Sequence, residues 1–242
     1  MEFIARVNST YLAAITCFAA KNDVRFYLEG VYIAPHPQGG VLIVATDGHC
    51  MGLMHDPDGF ANAPIILRSP DGDFLKALKA RDMKPYTGSR ESKTWISERC
   101  SVVTYSGNSA PPELFGCDVL ATVKSELVDG KFPDIVRVIA MYKPSDEKTL
   151  PFMNVALIDR FTKAASILGK NDKKWPGAFQ FITNGEHGQV IVRFEKLART
   201  PSDKLIDRFM GVIMPAKDIQ PNTRLPDFVG FLVQRYEKGE PN

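Results

Sequence analysis

Apolar positions along this chain switch between alternating and helical spacing, in three similar passes. Residues 3–7, FIARV, alternate as a short strand does. Over NSTYLAAITCFAAKND, residues 8–23, the spacing widens: Tyr11, Leu12, Ile15, Phe18 and Ala19 share a helical face behind Asn8 or Ser9 as N-cap. Two strand-like runs follow, VRFYLEGVYIAP and GVLIVATDG, joined by the turn-rich HPQGG. The order then recurs. APIILRS reads as a strand, and DGDFLKALKARD as a helix with Phe74, Leu75 and Leu78 inward and Lys76, Lys79 and Arg81 elsewhere. KTWISE, CSVVTYS and CDVLATVK supply further strands. Two passes of strand, helix and strands predict an internal repeat within residues 3–126.

Residues 127–152 have little periodicity and are interrupted by Pro133, Pro144 and Pro151, so they read as a linker that packs partly on its neighbours. A third pass begins with a helix over 154–169, capped by Asn154, with Leu157, Ile158, Phe161, Ala165 and Leu168 on one face and Gly169 at its end. FQFITNGEHGQVIVRF predicts a hairpin around Asn184-Gly185, and FMGVIMPAK a late strand. Last comes LPDFVGFLVQRYEK, where Leu225, Phe228, Val229, Leu232, Val233 and Tyr236 form an amphipathic stripe that predicts a helix packed on the chain's own core, the alternatives being one that covers an exposed sheet edge, joins subunits or fills a pocket.

Composition narrows the function classes. With 242 residues, 44% hydrophobic and 24% charged, the chain is long enough for a real core and ordinary for a globular protein. A net charge of +2 sets up no strong global field, so any nucleic-acid contact has to come from local charge. Cys17, Cys50, Cys100 and Cys117 are widely spaced without a CxxC pair, which fits a reduced, cytoplasmic chain and neither a disulfide framework nor a zinc site. MEFIARVNS lacks the apolar run of a signal peptide, and no stretch approaches the roughly 20 apolar residues of a membrane span. No cofactor motif is found.

The stretch VATDGHCMGLM holds the most suggestive chemistry. Asp47 and His49, two apart, are candidates for acid-base work, but such work needs a partner group and a pocket. The histidines are His36, His49, His55 and His187, and the spacing of Asp47, His49 and His55 matches no metal-ligand signature. An alternative is a strand ending in an Asp-Gly turn with no chemistry of its own.

A third reading comes from likeness. DVRFYLEGV followed by VLIVATDGHCMGL resembles the middle domain of the bacterial DNA polymerase III beta subunit, the sliding-clamp family. ELVDGKFPDIVRV and GVIMPAK resemble two further blocks of that family, in the same order, so that the likeness touches residues 3–218. The resemblance implies an α+β fold of DNA-clamp (processivity-fold) domains: repeated strand-helix-strands units with sheets outside and helices inside. It implies a non-catalytic processivity factor that encircles duplex DNA as a homo-oligomer, without reading its sequence. Its partners would be a DNA polymerase, other proteins carrying a clamp-binding peptide, and a clamp loader, with no cofactor, metal or membrane involved.

Carried over by residue, one wall of a peptide pocket falls on Leu28, Thr46, Gly48, His49 and Met51. Pro133, Arg137 and Val138 come from the linker, and Val212, Met214 and Pro215 from the late strand. DNA contacts fall on Asn22, Arg25, Phe26 and Tyr27, on Lys76, Lys79 and Arg81, and on Arg160 and Lys163. The chain departs from the family pattern in four ways. Its match starts at the family's middle domain, its last unit is short, Cys50 stands in place of an arginine, and Ala216 in place of a methionine. The expected organisation is a middle-like domain over 1–126, a linker over 127–152, a shortened terminal domain over 153–218 and a helical tail over 219–242. The alternative function is a clamp-like adaptor or decoy that binds peptides without encircling DNA.

Overall fold

The computed structural model describes residues 2–79, 92–104, 111–112, 119–140, 151–169, 178–183, 188–195 and 208–216. Arg81, the Asn184-Gly185 turn and the helix expected over 225–238 lie outside them.

The first pass runs β1 (Ala5–Asn8), α1 (Ser9–Ile15), then a meander of β2 (Gly30–Pro35), β3 (Val41–Thr46), β4 (Cys50–Asp56) and the two-residue β5 (Phe60–Ala61). The second runs β6 (Ile65–Arg68), α2 (Gly72–Leu78), then β7 (Lys93–Ile96), β8 (Cys100–Thr104) and β9 (Val119–Lys124). The strands form two antiparallel sheets, and the two passes exchange their first strands. β1 pairs with β7 of the second meander, and β6 pairs with β2 of the first. Each half therefore completes the other's sheet, which binds the repeat into one unit.

The helix expected over 8–23 is shorter. Asn8 caps it, its carboxamide oxygen accepting from the Thr10 and Tyr11 N–H groups at 2.9 and 3.3 Å. After Ile15 the backbone tightens into a 3-10 turn over Thr16–Phe18, and Ala19 is extended. The tightening turns Phe18 inward onto Gly52, where any Cβ would collide with its ring. The strand expected from Val24 starts only at Gly30. Before it, Phe26–Glu29 form a second 3-10 turn, anchored by the Leu28 N–H donating to Arg25 O at 2.8 Å.

After β9 comes α3 (Ile135–Ala140), and the third pass gives α4 (Val155–Leu168), β10 (Ala178–Ile182), β11 (Val190–Glu195) and β12 (Phe209–Ile213). β12 pairs with β4, Ile213 opposite Cys50 and Phe209 opposite Met54. This joint continues the sheet across the third pass, in the order β10-β11-β12-β4-β3-β2-β6, beside a five-stranded sheet β5-β1-β7-β8-β9.

Strand alternation then sorts the core into two layers. Ile43 and Ala45, Cys50 and Met54, Val190 and Val192, and Phe209 and Ile213 point toward α1 and α4. Leu42 and Val44, Met51 and Leu53, Ile191, and Met210 and Val212 point the other way. The helix layer is anchored by phenylalanines: Phe18 meets Phe161 edge-on at 4.7 Å, and Phe194 stacks on Phe209 at 4.2 Å. The opposite layer is roofed by residues 127–140, where Phe132 stacks on Tyr32 at 4.9 Å. The Val128 N–H donates to Ile66 O at 2.8 Å and pins this roof along β6. Residues 127–140 thus carry a helix and bury apolar surface.

Candidate functional site

The turn between β3 and β4 is built by its own polar side chains. Asp47 Oδ1 accepts from the N–H groups of His49 and Cys50, each at 2.8 Å. Thr46 Oγ1 donates to Cys50 O at 2.7 Å and accepts from the Gly48 N–H at 3.0 Å. Gly48 has φ +89°, a region that disfavours side chains, and its missing Cβ leaves room for the Arg25 guanidinium over the turn. Arg25 donates to Asp47 O at 3.1 Å. It also holds Asp23 by two hydrogen bonds, of 3.0 and 2.8 Å, which keep that carboxyl at about 2, well below its ordinary value.

Asp47 Oδ2 is taken as well. Arg160, reaching across from α4, lies 2.8 Å from it and donates its other arm to Phe18 O at 3.2 Å. Both side chains are largely buried, Asp47 at 12% exposure and Arg160 at 26%. Three of the carboxylate's acceptor positions are thus engaged in holding the turn and the third pass together. His49 is exposed on the same turn. Burial and the nearby Asp47 charge push the Cys50 thiol up to about 12, so it is no nucleophile at neutral pH. Among the described residues no three His, Cys, Asp or Glu side chains gather as metal ligands.

Beside this turn opens a cavity of about 210 Å³. Leu28, Thr46, Gly48, His49 and Met51 line it from the first pass, Pro133 and Val138 from the roof, and Val212 and Met214 from the end of β12. Four stretches remote in sequence meet here for a local reason. The β4–β12 pairing carries Val212 alongside Met51, and the Met214 N–H donates to His49 O at 2.8 Å. On the roof, Gln189 donates to Val138 O at 2.8 Å and fixes the end of α3 over the opening.

Two residues expected at the cavity stand just outside it. Arg137 is exposed on α3, and Pro215 follows Met214 without lining the space. Four others line it: Arg25, Tyr27, Cys50 and Ile135. Ile135 was readable as the next apolar residue after Pro133. Arg25 and Tyr27, expected as DNA contacts, also line the cavity, brought there at the 3-10 turn that the strand pattern hid. The lining is mostly apolar, with polar atoms at the rim, the composition of a site for a ligand with apolar anchors.

No protein-family profile matches the chain, nor does any curated protein. Solved structures do. The DNA polymerase sliding clamp of Pseudomonas aeruginosa, solved with a ligand, aligns over 89% of this chain and 66% of its own, with TM-score 0.51 at 15% identity. The chain has the sliding-clamp fold. The DNA polymerase III beta subunit of Borrelia burgdorferi, in complex with a natural product, aligns over 90% of this chain and 65% of its own, with TM-score 0.51 at 14% identity. The H. pylori beta clamp, in complex with 5-chloroisatin, aligns over 90% and 68%, with TM-score 0.55 at 11% identity. The chain spans about two thirds of the length of the Pseudomonas and Borrelia clamps.

Within this clamp fold the helices carry the cations. Cys17, at the end of α1, is raised by burial, and Lys79, Lys163, Lys21 and Arg160 lie near enough to pull its titration back. Lys21 comes from the loop after the Thr16–Phe18 turn, Lys79 from the end of α2 and Lys163 from α4. Lys76 pairs with Asp73 and Lys163 with Asp159, both in solvent. Arg160 alone among these is locked inside, by Asp47. Asn22, with φ +54°, sits on the exposed loop after α1, and Phe26, also exposed, opens the second 3-10 turn. No helix among the described residues is long and apolar enough to cross a membrane.

Proposed function

We propose that this chain is a non-catalytic, clamp-like processivity factor that tethers a DNA polymerase to duplex DNA and receives partner peptides in the cavity beside Gly48. The observation that carries this reading is the cavity itself: an apolar space where the β3–β4 turn, the Pro133 segment and the end of β12 converge. In this reading residues 1–126 are one clamp unit, 127–152 the linker, 153–218 a shortened second unit and 219–242 a tail. Leu28, Met51, Val138 and Val212 take apolar anchors, and Met214, 38% exposed, is the adjustable wall. A tether raises processivity by turning each polymerase dissociation into a local rebinding event at high effective concentration. Lys21, Lys79 and Lys163 supply sequence-independent contacts to phosphates. The Asp47 carboxylate, held by two N–H groups and Arg160, supports a role in architecture rather than catalysis.

The test is a fluorescence anisotropy titration with a labelled peptide bearing two large apolar anchors. Met214→Lys places a charge in the wall and is expected to weaken binding at least ten-fold, about 1.4 kcal/mol. Equal affinity for both proteins would remove the cavity from the function. A second reading is a clamp-like adaptor or decoy that binds peptides in the same cavity without encircling DNA. That reading predicts the same peptide result and no retention on circular DNA.

A further inference from the structure

Two side chains of the third pass grip the cavity from behind its walls. Arg160, on α4, lies 2.8 Å from Asp47 Oδ2, and through Asp47 Oδ1 that grip reaches the N–H groups of His49 and Cys50. Gln189, the residue before β11, donates from Nε2 to Val138 O at 2.8 Å. Neither side chain lines the cavity, yet Gly48, His49 and Cys50 belong to one wall and Val138 to the roof above it. We propose that Arg160 and Gln189 are positioning residues for the peptide site, setting its affinity by ordering the β3–β4 turn and the end of α3 without touching the peptide. The proposal rests on the reading of the cavity as a peptide site.

Each grip fixes something the wall cannot fix for itself. Asp47 Oδ1 meets both turn N–H groups only while the carboxylate keeps one orientation, and the bond from Arg160 to Oδ2 sets that orientation. Arg160 is aimed in turn by the core, because its other arm donates to Phe18 O at 3.2 Å and its neighbour Phe161 packs edge-on against the Phe18 ring. A lysine, with one compact ammonium, does not bridge two such acceptors in the way a guanidinium fork does. On the roof, Val138 O is among the last four carbonyls of α3, which no N–H of that helix reaches. The buried Gln189 carboxamide supplies the missing donor. Affinity follows from order: a wall that is in place for only a tenth of the time lowers the apparent affinity about ten-fold, with every lining residue unchanged.

The experiment uses the full chain and, as probe, a fluorescein-labelled peptide with leucine and phenylalanine as its apolar anchors. Arg160→Met is expected to weaken binding about ten-fold and Gln189→Leu about three-fold, as one charged and one neutral bond are lost. Asp47→Asn keeps a carbonyl oxygen for the turn N–H groups but loses the charge that Arg160 answers. It is expected to weaken binding as much as Arg160→Met does, and the two together no more than either alone; additive losses overturn the proposal. Amide hydrogen exchange at His49 and Cys50 is expected to quicken in Arg160→Met and to stay unchanged in Gln189→Leu. Val103→Ala, a buried position in the five-stranded sheet, which contributes nothing to the lining, controls for lost stability and is expected to bind as the wild type does. An equal loss of affinity there overturns the proposal. Unchanged affinity in Arg160→Met or Gln189→Leu, with Met214→Lys still weakening binding, leaves the cavity standing and overturns the positioning roles. If the wild type binds no such peptide, the cavity reading falls and this proposal with it.

Discussion

Asp47 carries a disproportionate share of the local order for one side chain. Its carboxylate satisfies two turn N–H groups and closes a largely buried ion pair with Arg160, 113 positions further along. Removing one partner of such a pair leaves the other charge unanswered, and bonds to charged groups contribute about 1.5–3 kcal/mol each. Arg160→Ala is therefore expected to cost about 2 kcal/mol in urea unfolding, whereas Lys163→Ala, one turn along and in solvent, changes stability by less than about 0.5 kcal/mol. Cys50, at the end of the same turn, titrates in the opposite sense from an activated thiol. Its folded value near 12 lies above the ordinary 9.0 because burial, aided by the Asp47 charge, disfavours the thiolate. The stability it contributes is thus fully present below pH 9 and is lost as pH rises toward 12. Mass spectrometry after iodoacetamide treatment at pH 8 is expected to find Cys50 unmodified in the folded protein and modified once urea unfolds it.

At the scale of elements, the joint between β4 and β12 decides whether the cavity exists. α4 presses on that joint, and Phe161 lies over Gly211, where a Cβ would overlap the ring. Gly211→Ala has to push Phe161 out of the phenylalanine cluster, and overpacking of this kind costs about 1–3 kcal/mol. Because the joint holds Met214 at the cavity, the same variant is expected to weaken peptide binding as well as lower the melting temperature. Normal binding in a destabilised Gly211→Ala protein would show that the cavity does not depend on the joint.

The elements themselves were largely legible in the chain. α4, with its Asn154 cap and its Leu157, Phe161, Ala165 and Leu168 face, follows from spacing alone. Three things did not follow. β4, Cys50–Asp56, escaped as a strand because it is apolar on both faces, covered by helices on one and by the roof on the other, so alternation vanishes. The 3-10 turn at Phe26–Glu29 escaped because VRFYLEGV has the composition of a strand; Asp23 and Arg25, paired side by side, turn it instead. The exchange of β1 and β6 between sheets is a long-range pairing, which no local pattern specifies. The cavity was a different matter, since its residues come from four stretches and only likeness to a known fold could gather them. That likeness did not gather Arg25 and Tyr27 at the cavity, for the reason the 3-10 turn supplies.

For the whole molecule the open question is closure. β9 and β10 each end a sheet with one side unpaired among the described residues, and an unpaired edge is a template for another strand. A head-to-tail contact between copies through such edges must either close into a ring or run on as a filament. Electrostatics and topology then separate the candidate modes of DNA binding. If each copy touches phosphates through Lys21, Lys79 and Lys163, affinity for linear duplex falls with salt with a logarithmic slope near −2.7 per copy, about −0.9 for each contact. Topological linkage has no such dependence, because a closed ring cannot leave a closed circle without opening. The protein loaded on nicked circular DNA is therefore expected to stay bound through a wash from 50 mM to 500 mM NaCl, and to be released when a restriction enzyme cuts the circle. Release by salt alone, with sedimentation showing a single copy of 26.9 kDa, would leave the adaptor as the better account. It would also confine the clamp-like activity of this chain to the cavity at the β3–β4 turn.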